Sequence, residues 1–133
     1  LFWNNNAGVK SLRIGNRGYI TELLGIPTLT LTATTGGSLA TGTYYYLVVA
    51  VDSSGREIGV SIEKSITLTA GQNAVALSWT AFPFSPNPNN KYRIYRGTAT
   101  GGENVYYETA TGNPPPTSYT DTGAVGTSAL PKV

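Results

Sequence analysis

The chain reads as an all-β protein, a seven-stranded β-sandwich preceded by a small N-terminal β-meander. Three observations carry that expectation. Short apolar runs alternate with turn clusters of Gly, Asn, Ser and Pro along most of the 133 residues. Only 12% of the residues are charged, against about 25% in a typical soluble domain, so the surface is dressed with Thr, Ser, Asn, Tyr and Gly. Thr, Tyr and Val are strand formers, whereas Ala and Gly sit mostly in turns.

The first region, residues 1–26, is expected to form three short strands joined by tight polar turns. Leu1-Phe2-Trp3 precedes an Asn-rich turn, Val9 to Ile14 follows, and Gly15-Asn16-Arg17-Gly18 leads into Tyr19 to Leu24. Asn and Gly tolerate positive φ, which suits hairpins. A chain below about 40 residues rarely buries enough surface to stand alone. Phe2, Trp3, Leu12, Ile14, Tyr19 and Leu23 must therefore pack on the rest of the chain, on sister chains or on another protein. This marks an attachment or oligomerisation segment.

Pro27 opens the sandwich, residues 27–126, with strands expected at 28–33, 43–51, 60–69, 73–79, 91–95, 105–110 and 118–121. Val75, Leu77 and Trp79 alternate onto one face, as do Tyr92 and Ile94. The strand Thr43 to Val51 is apolar on both faces, so it is central or meets a partner. Asp52-Ser53-Ser54-Gly55-Arg56-Glu57 has oxygen ligands for calcium, but it reads more simply as a hairpin turn capped by Asp52. Pro83-Phe84-Ser85-Pro86 and Pro114-Pro115-Pro116 read as rigid loops, with Phe82 and Phe84 as exposed tips worth testing. Residues 127–133 read as an exit tail. The chain begins at Leu1 and not at Met, so it is expected to be processed or the visible part of something longer.

Composition narrows the function. With no Cys and no His, the chain lacks a thiol nucleophile, an imidazole base and the usual zinc ligands. The seven acids lie mostly in turns or on alternate strands, without the facing pair that glycoside hydrolysis needs. The chain is therefore expected not to be an enzyme and to carry no cofactor and no metal. Its nine basic residues are scattered and the net charge is +2, which argues against nucleic-acid binding. No apolar run approaches the roughly 18 residues of a membrane span.

Several motifs carry a family resemblance. Gly42-Thr43-Tyr44-Tyr45-Tyr46 running to Ala50-Val51-Asp52, Leu77-Ser78-Trp79, Tyr92-Arg93-Ile94-Tyr95-Arg96-Gly97 and Thr117-Ser118-Tyr119-Thr120-Asp121-Thr122-Gly123 resemble the immunoglobulin-like or fibronectin type III-like domains of tailed-bacteriophage structural proteins and of secreted bacterial glycosidases. The resemblance covers roughly residues 27–126. The Tyr-rich strand precedes the Leu-Ser-Trp strand, the reverse of the fibronectin order, which is more similar to phage modules. The leading segment also resembles the short meander of phage fibre and head-attachment proteins.

The resemblance implies a head-decoration, head-fibre or tail-fibre-like component at the virion surface. Its partners would be other virion proteins and sister chains, as a homotrimer, with weak adhesion to bacterial surface glycans. Tyr45, Phe84, Tyr95 and Tyr106 are the candidate surface contacts, although most tyrosines are expected to pack across strands. The alternative is a secreted spacer or carbohydrate-binding module of a bacterial glycoside hydrolase, or a surface adhesin.

Overall fold

A computed structural model describes residues 27–130. The described residues are all β, without helices, and form two antiparallel sheets that face each other across a shared core, a β-sandwich-like arrangement. The strands are β1 (Leu29–Thr34), β2 (Gly42–Val51), β3 (Glu57–Val60), β4 (Lys64–Leu68), β5 (Ala74–Trp79), β6 (Lys91–Gly97), β7 (Val105–Glu108), β8 (Ser118–Asp121) and β9 (Thr127–Ser128). One sheet is ordered β1-β5-β8. The other is ordered β3-β2-β6-β7-β9, with β4 also paired to β2.

Alternation explains which side chains meet between the sheets. In β1, Leu29, Leu31 and Ala33 turn to the core, while in β5 Val75 and Leu77 do the same. From the larger sheet, Tyr46, Val48 and Ala50 of β2 and Tyr92 and Ile94 of β6 meet them. Burying a side chain of the Val, Leu or Ile class contributes about 1.5–3 kcal/mol, so this cluster is the main source of stability. Trp79 and Tyr92 lock edge to face with centroids 5.3 Å apart, the geometry the ring quadrupoles favour.

β2 is the spine of the larger sheet. It pairs with β6 on one side and with β3 and β4 in succession on the other. Its second face carries Leu47, Val49 and Val51, which join Tyr95 in a separate buried cluster. Burial on both faces, read from the sequence, is thus realised within the described residues.

Two features depart from the expected layout. Nine strands are described where seven were expected, chiefly because the segment read as one strand over 60–69 is two. Val60 pairs with Val49 and Lys64 with Tyr46, so three residues (Ser61, Ile62 and Glu63) oppose two (Leu47 and Val48). The extra residue breaks the ladder. Ser61 repairs it: its N–H donates to the Val48 carbonyl at 2.8 Å, and its Oγ accepts from the Val48 N–H at 2.9 Å. β9 falls where the exit tail was expected, pairing Thr127 with Tyr106 and Ser128 with Val105.

The turn after β2 has the expected chemistry. The Asp52 carboxylate accepts from the backbone N–H groups of Ser54 and Arg56, each at 3.0 Å, and from the Ser54 hydroxyl at 2.7 Å. Gly55 adopts φ +88°, a conformation open to Gly at no steric cost.

Candidate functional site

Two carboxylates are wholly buried, and they differ in every other respect. The first, Asp121, closes β8 and points between the sheets. Alternation puts Arg96 on the core face of β6 beside Tyr92 and Ile94, and Tyr46 is its neighbour in register on β2. Arg96 Nη1 donates to both carboxylate oxygens of Asp121, at 3.0 and 2.9 Å. The Tyr46 hydroxyl donates to Oδ2 at 2.8 Å and the Gly123 N–H to Oδ1 at 2.9 Å.

Burying a charge costs several kcal/mol unless partners replace its water. Here one carboxylate receives a cation, a phenol and a backbone amide, so the smaller sheet is clasped to the larger. Burial, followed by the charge and hydrogen bond of Asp121, holds the Tyr46 hydroxyl far above its ordinary titration range. It remains a donor at any physiological pH. The Tyr107 ring lies 5.5 Å from the Arg96 guanidinium and stacks on Tyr119 of the opposite sheet at 5.5 Å, which extends the clasp.

The second carboxylate is Glu103, at the end of the β6–β7 connection. It is 0% exposed, and neither of its oxygens has a hydrogen-bond partner. Its carboxyl lies beside that of Glu63 and near its own backbone N–H, so no donor from another residue comes between the two carboxyls. Burial is the main cause that pushes the Glu103 carboxyl up to about 7, with Glu63 adding to it. Glu63 is itself half-buried and accepts from the Gly101 N–H at 2.8 Å. The hairpin can fold this closely because residue 97 is Gly: a Cβ there would lie 2.3 Å from the Gly102 carbonyl oxygen and 2.7 Å from the Glu103 Cα.

A third grouping caps the outer face of the larger sheet. Arg93 donates through Nε to Glu108 at 2.8 Å and through Nη1 to Glu57 at 3.1 Å, while Lys91 reaches Glu108 at 3.0 Å. The Tyr95 hydroxyl donates to Glu57. The Arg93 guanidinium sits 4.8 Å above the Tyr106 ring, which is 5.3 Å from Tyr95. This strip therefore combines cation–π and ion-pair contacts over the buried Val49 and Val51.

The sequence-derived candidates fall in different places. Phe2, Trp3, Leu12, Ile14, Tyr19 and Leu23 lie outside the described residues. Tyr95 is 2% exposed, which corrects its expected role as a surface contact: its ring belongs to the outer-face cluster. Tyr106 is half-buried beside it, and Tyr45 is half-buried on the same strand face as Leu47, opposite Ser65 and Gly97. Phe84 is not a free tip but packs edge to face on Phe82 at 5.2 Å and on Tyr92 at 5.4 Å. Among the described candidates, only Tyr95 and Tyr106 come together. Glu103 escaped sequence reasoning, and the available signal was an acid placed directly after Gly101-Gly102, where a tight turn folds back on its own strand. Compared with family models, curated proteins and solved structures, the chain matches none.

Proposed function

We propose that the chain is a non-enzymatic structural and display module of a tailed-bacteriophage virion, an immunoglobulin-like or fibronectin type III-like sandwich held to the particle or to sister chains through its N-terminal segment. The observation that carries the non-catalytic part is how the described acids are spent. Asp52 caps a turn, Glu57 and Glu108 brace Arg93, and Asp121 clasps the sheets. The remaining pair, Glu63 and Glu103, meet side by side with Glu103 wholly buried, which leaves no room for a sugar between them. The virion part rests on the motif resemblance. A particle carries many copies, so avidity turns weak glycan or protein contacts into useful adhesion.

Two measurements test this reading. Light scattering coupled to size exclusion compares the full chain with one starting at Pro27. The expected result is an oligomer, a trimer by resemblance, for the full chain and a monomer for the shortened one. Equal monomers would remove the attachment role of Phe2, Trp3, Leu12, Ile14, Tyr19 and Leu23. Antibody raised against the sandwich should label the surface of virions made from the encoding genome, and unlabelled particles would refute the location.

A further inference from the structure

We infer that Glu63 and Glu103 form a binding site for a divalent cation of the calcium class, bridging the β3–β4 crossing and the β6–β7 hairpin. The case starts from the orphaned side chain. A wholly buried carboxylate with neither oxygen hydrogen-bonded is an unsolved electrostatic problem, and its neighbour makes it worse, being a second carboxylate. Among the described residues, no ion pair joins Glu63 or Glu103 to Lys or Arg. The same fold surrounds Asp121 with three donors, so a missing donor set is not a general habit of this chain.

A 2+ ion matches the charge of two carboxylates and removes the clash between acceptors. The donors are all hard oxygens, which select calcium or magnesium over zinc or copper. No group of three or more acidic, His or Cys side chains occurs among the described residues. The remaining ligands would have to be carbonyls and water, and calcium accepts such irregular shells whereas magnesium demands near-ideal octahedral geometry. The loop is also prearranged: the Gly101 N–H fixes Glu63 Oε1 at 2.8 Å, with Gly101 at φ +68°. An ion held here would pin the hairpin to the strand crossing and stiffen that end of the larger sheet.

The test uses the full chain stripped with EDTA. Calcium chloride is titrated in by calorimetry, and thermal unfolding is followed with EDTA, calcium or magnesium at constant ionic strength. The expected result is a stoichiometry of one and a midpoint raised by roughly 5–10 °C when calcium exceeds Kd a hundredfold, with a smaller response to magnesium. E103Q and E63Q should each abolish the calcium shift, while D52N, which alters the other oxygen-rich turn, should keep it. E63Q supplies the reading if E103Q does not fold, since Glu63 is only half-buried. Two results overturn the inference. One is no heat and equal midpoints in calcium and EDTA, which would mean that the pair shares a proton. The other is a calcium shift that survives E63Q, which would put the ion elsewhere.

Discussion

Asp121 and Glu103 are both 0% exposed, yet the first receives a cation, a phenol and a backbone amide, while no donor from any other residue satisfies the second. Asp121 sits where two sheets converge, so a phenol from β2, a guanidinium from β6 and an amide from its own turn reach it together. Glu103 sits where a hairpin folds back on one strand, and what reaches it is another acid. The lesson is that burial alone does not assign a role. A buried charge with a complete set of partners is part of the architecture, and one without them must take up a proton or a counter-ion.

The comparison is broken most severely at Asp121. Replacing it with Ala leaves Arg96 buried beside an empty acceptor site, and breaking such a pair costs about 3–5 kcal/mol. Urea unfolding of Asp121→Ala should show that loss, and a cost below about 1 kcal/mol would mean that the clasp contributes little.

A smaller effect belongs to Tyr46. Tyr46→Phe removes one hydrogen bond to a charged acceptor while keeping the ring in the core, so stability should fall by about 1.5–3 kcal/mol. The fall should be nearly independent of pH across the neutral range, because the hydroxyl is held protonated by burial and by Asp121.

The smallest effect lies on the outer face. Burial raises the Glu108 carboxyl, but hydrogen bonds from Arg93 and Lys91 outweigh it and hold the group below its ordinary value. The folded state therefore gains from ionised Glu108 above the unfolded pKa, and the gain is lost as pH falls through the depressed folded value. Glu108 is about a third exposed (34%), so solvent screening limits the pair. A double-mutant cycle on Arg93 and Glu108 should give a coupling of about 1 kcal/mol or less, falling with added salt and with acid.

Much of the fold was legible in the sequence because period-two alternation fixes strand faces. β1, β2, β5 and β8 stand within one residue of their expected bounds, and the doubly apolar β2 is central to its sheet. The split between β3 and β4 was not legible, since it depends on one surplus residue against β2 and on a repair by the Ser61 side chain. β9 escaped because two residues carry too little pattern to read. The candidate site was less legible still. Arg96 was readable as inward-facing from its step beyond Tyr92 and Ile94, but its partner lies 25 residues away on the other sheet. Glu103 is a loop residue whose close approach to β6 depends on the absence of a side chain at Gly97. Tyr95 illustrates the converse. It was a candidate surface contact, but Leu47, Val49 and Val51 of β2, with Glu57 and Tyr106, enclose it.

The most direct test replaces each buried carboxylate with its uncharged near-isostere and follows stability against pH in the presence of EDTA. Burial and the neighbouring Glu63 raise Glu103 in the folded chain, so its penalty is absent below the ordinary Glu value near 4.5 and grows as pH rises toward about 7. E103Q should therefore be more stable than the natural chain at pH 8 and should lose the decline between pH 5 and pH 8. D121N should be less stable than the natural chain throughout that range. If both variants lose stability alike at pH 8, the two carboxylates are equally well partnered, and the distinction between an architectural and an incomplete buried charge is wrong.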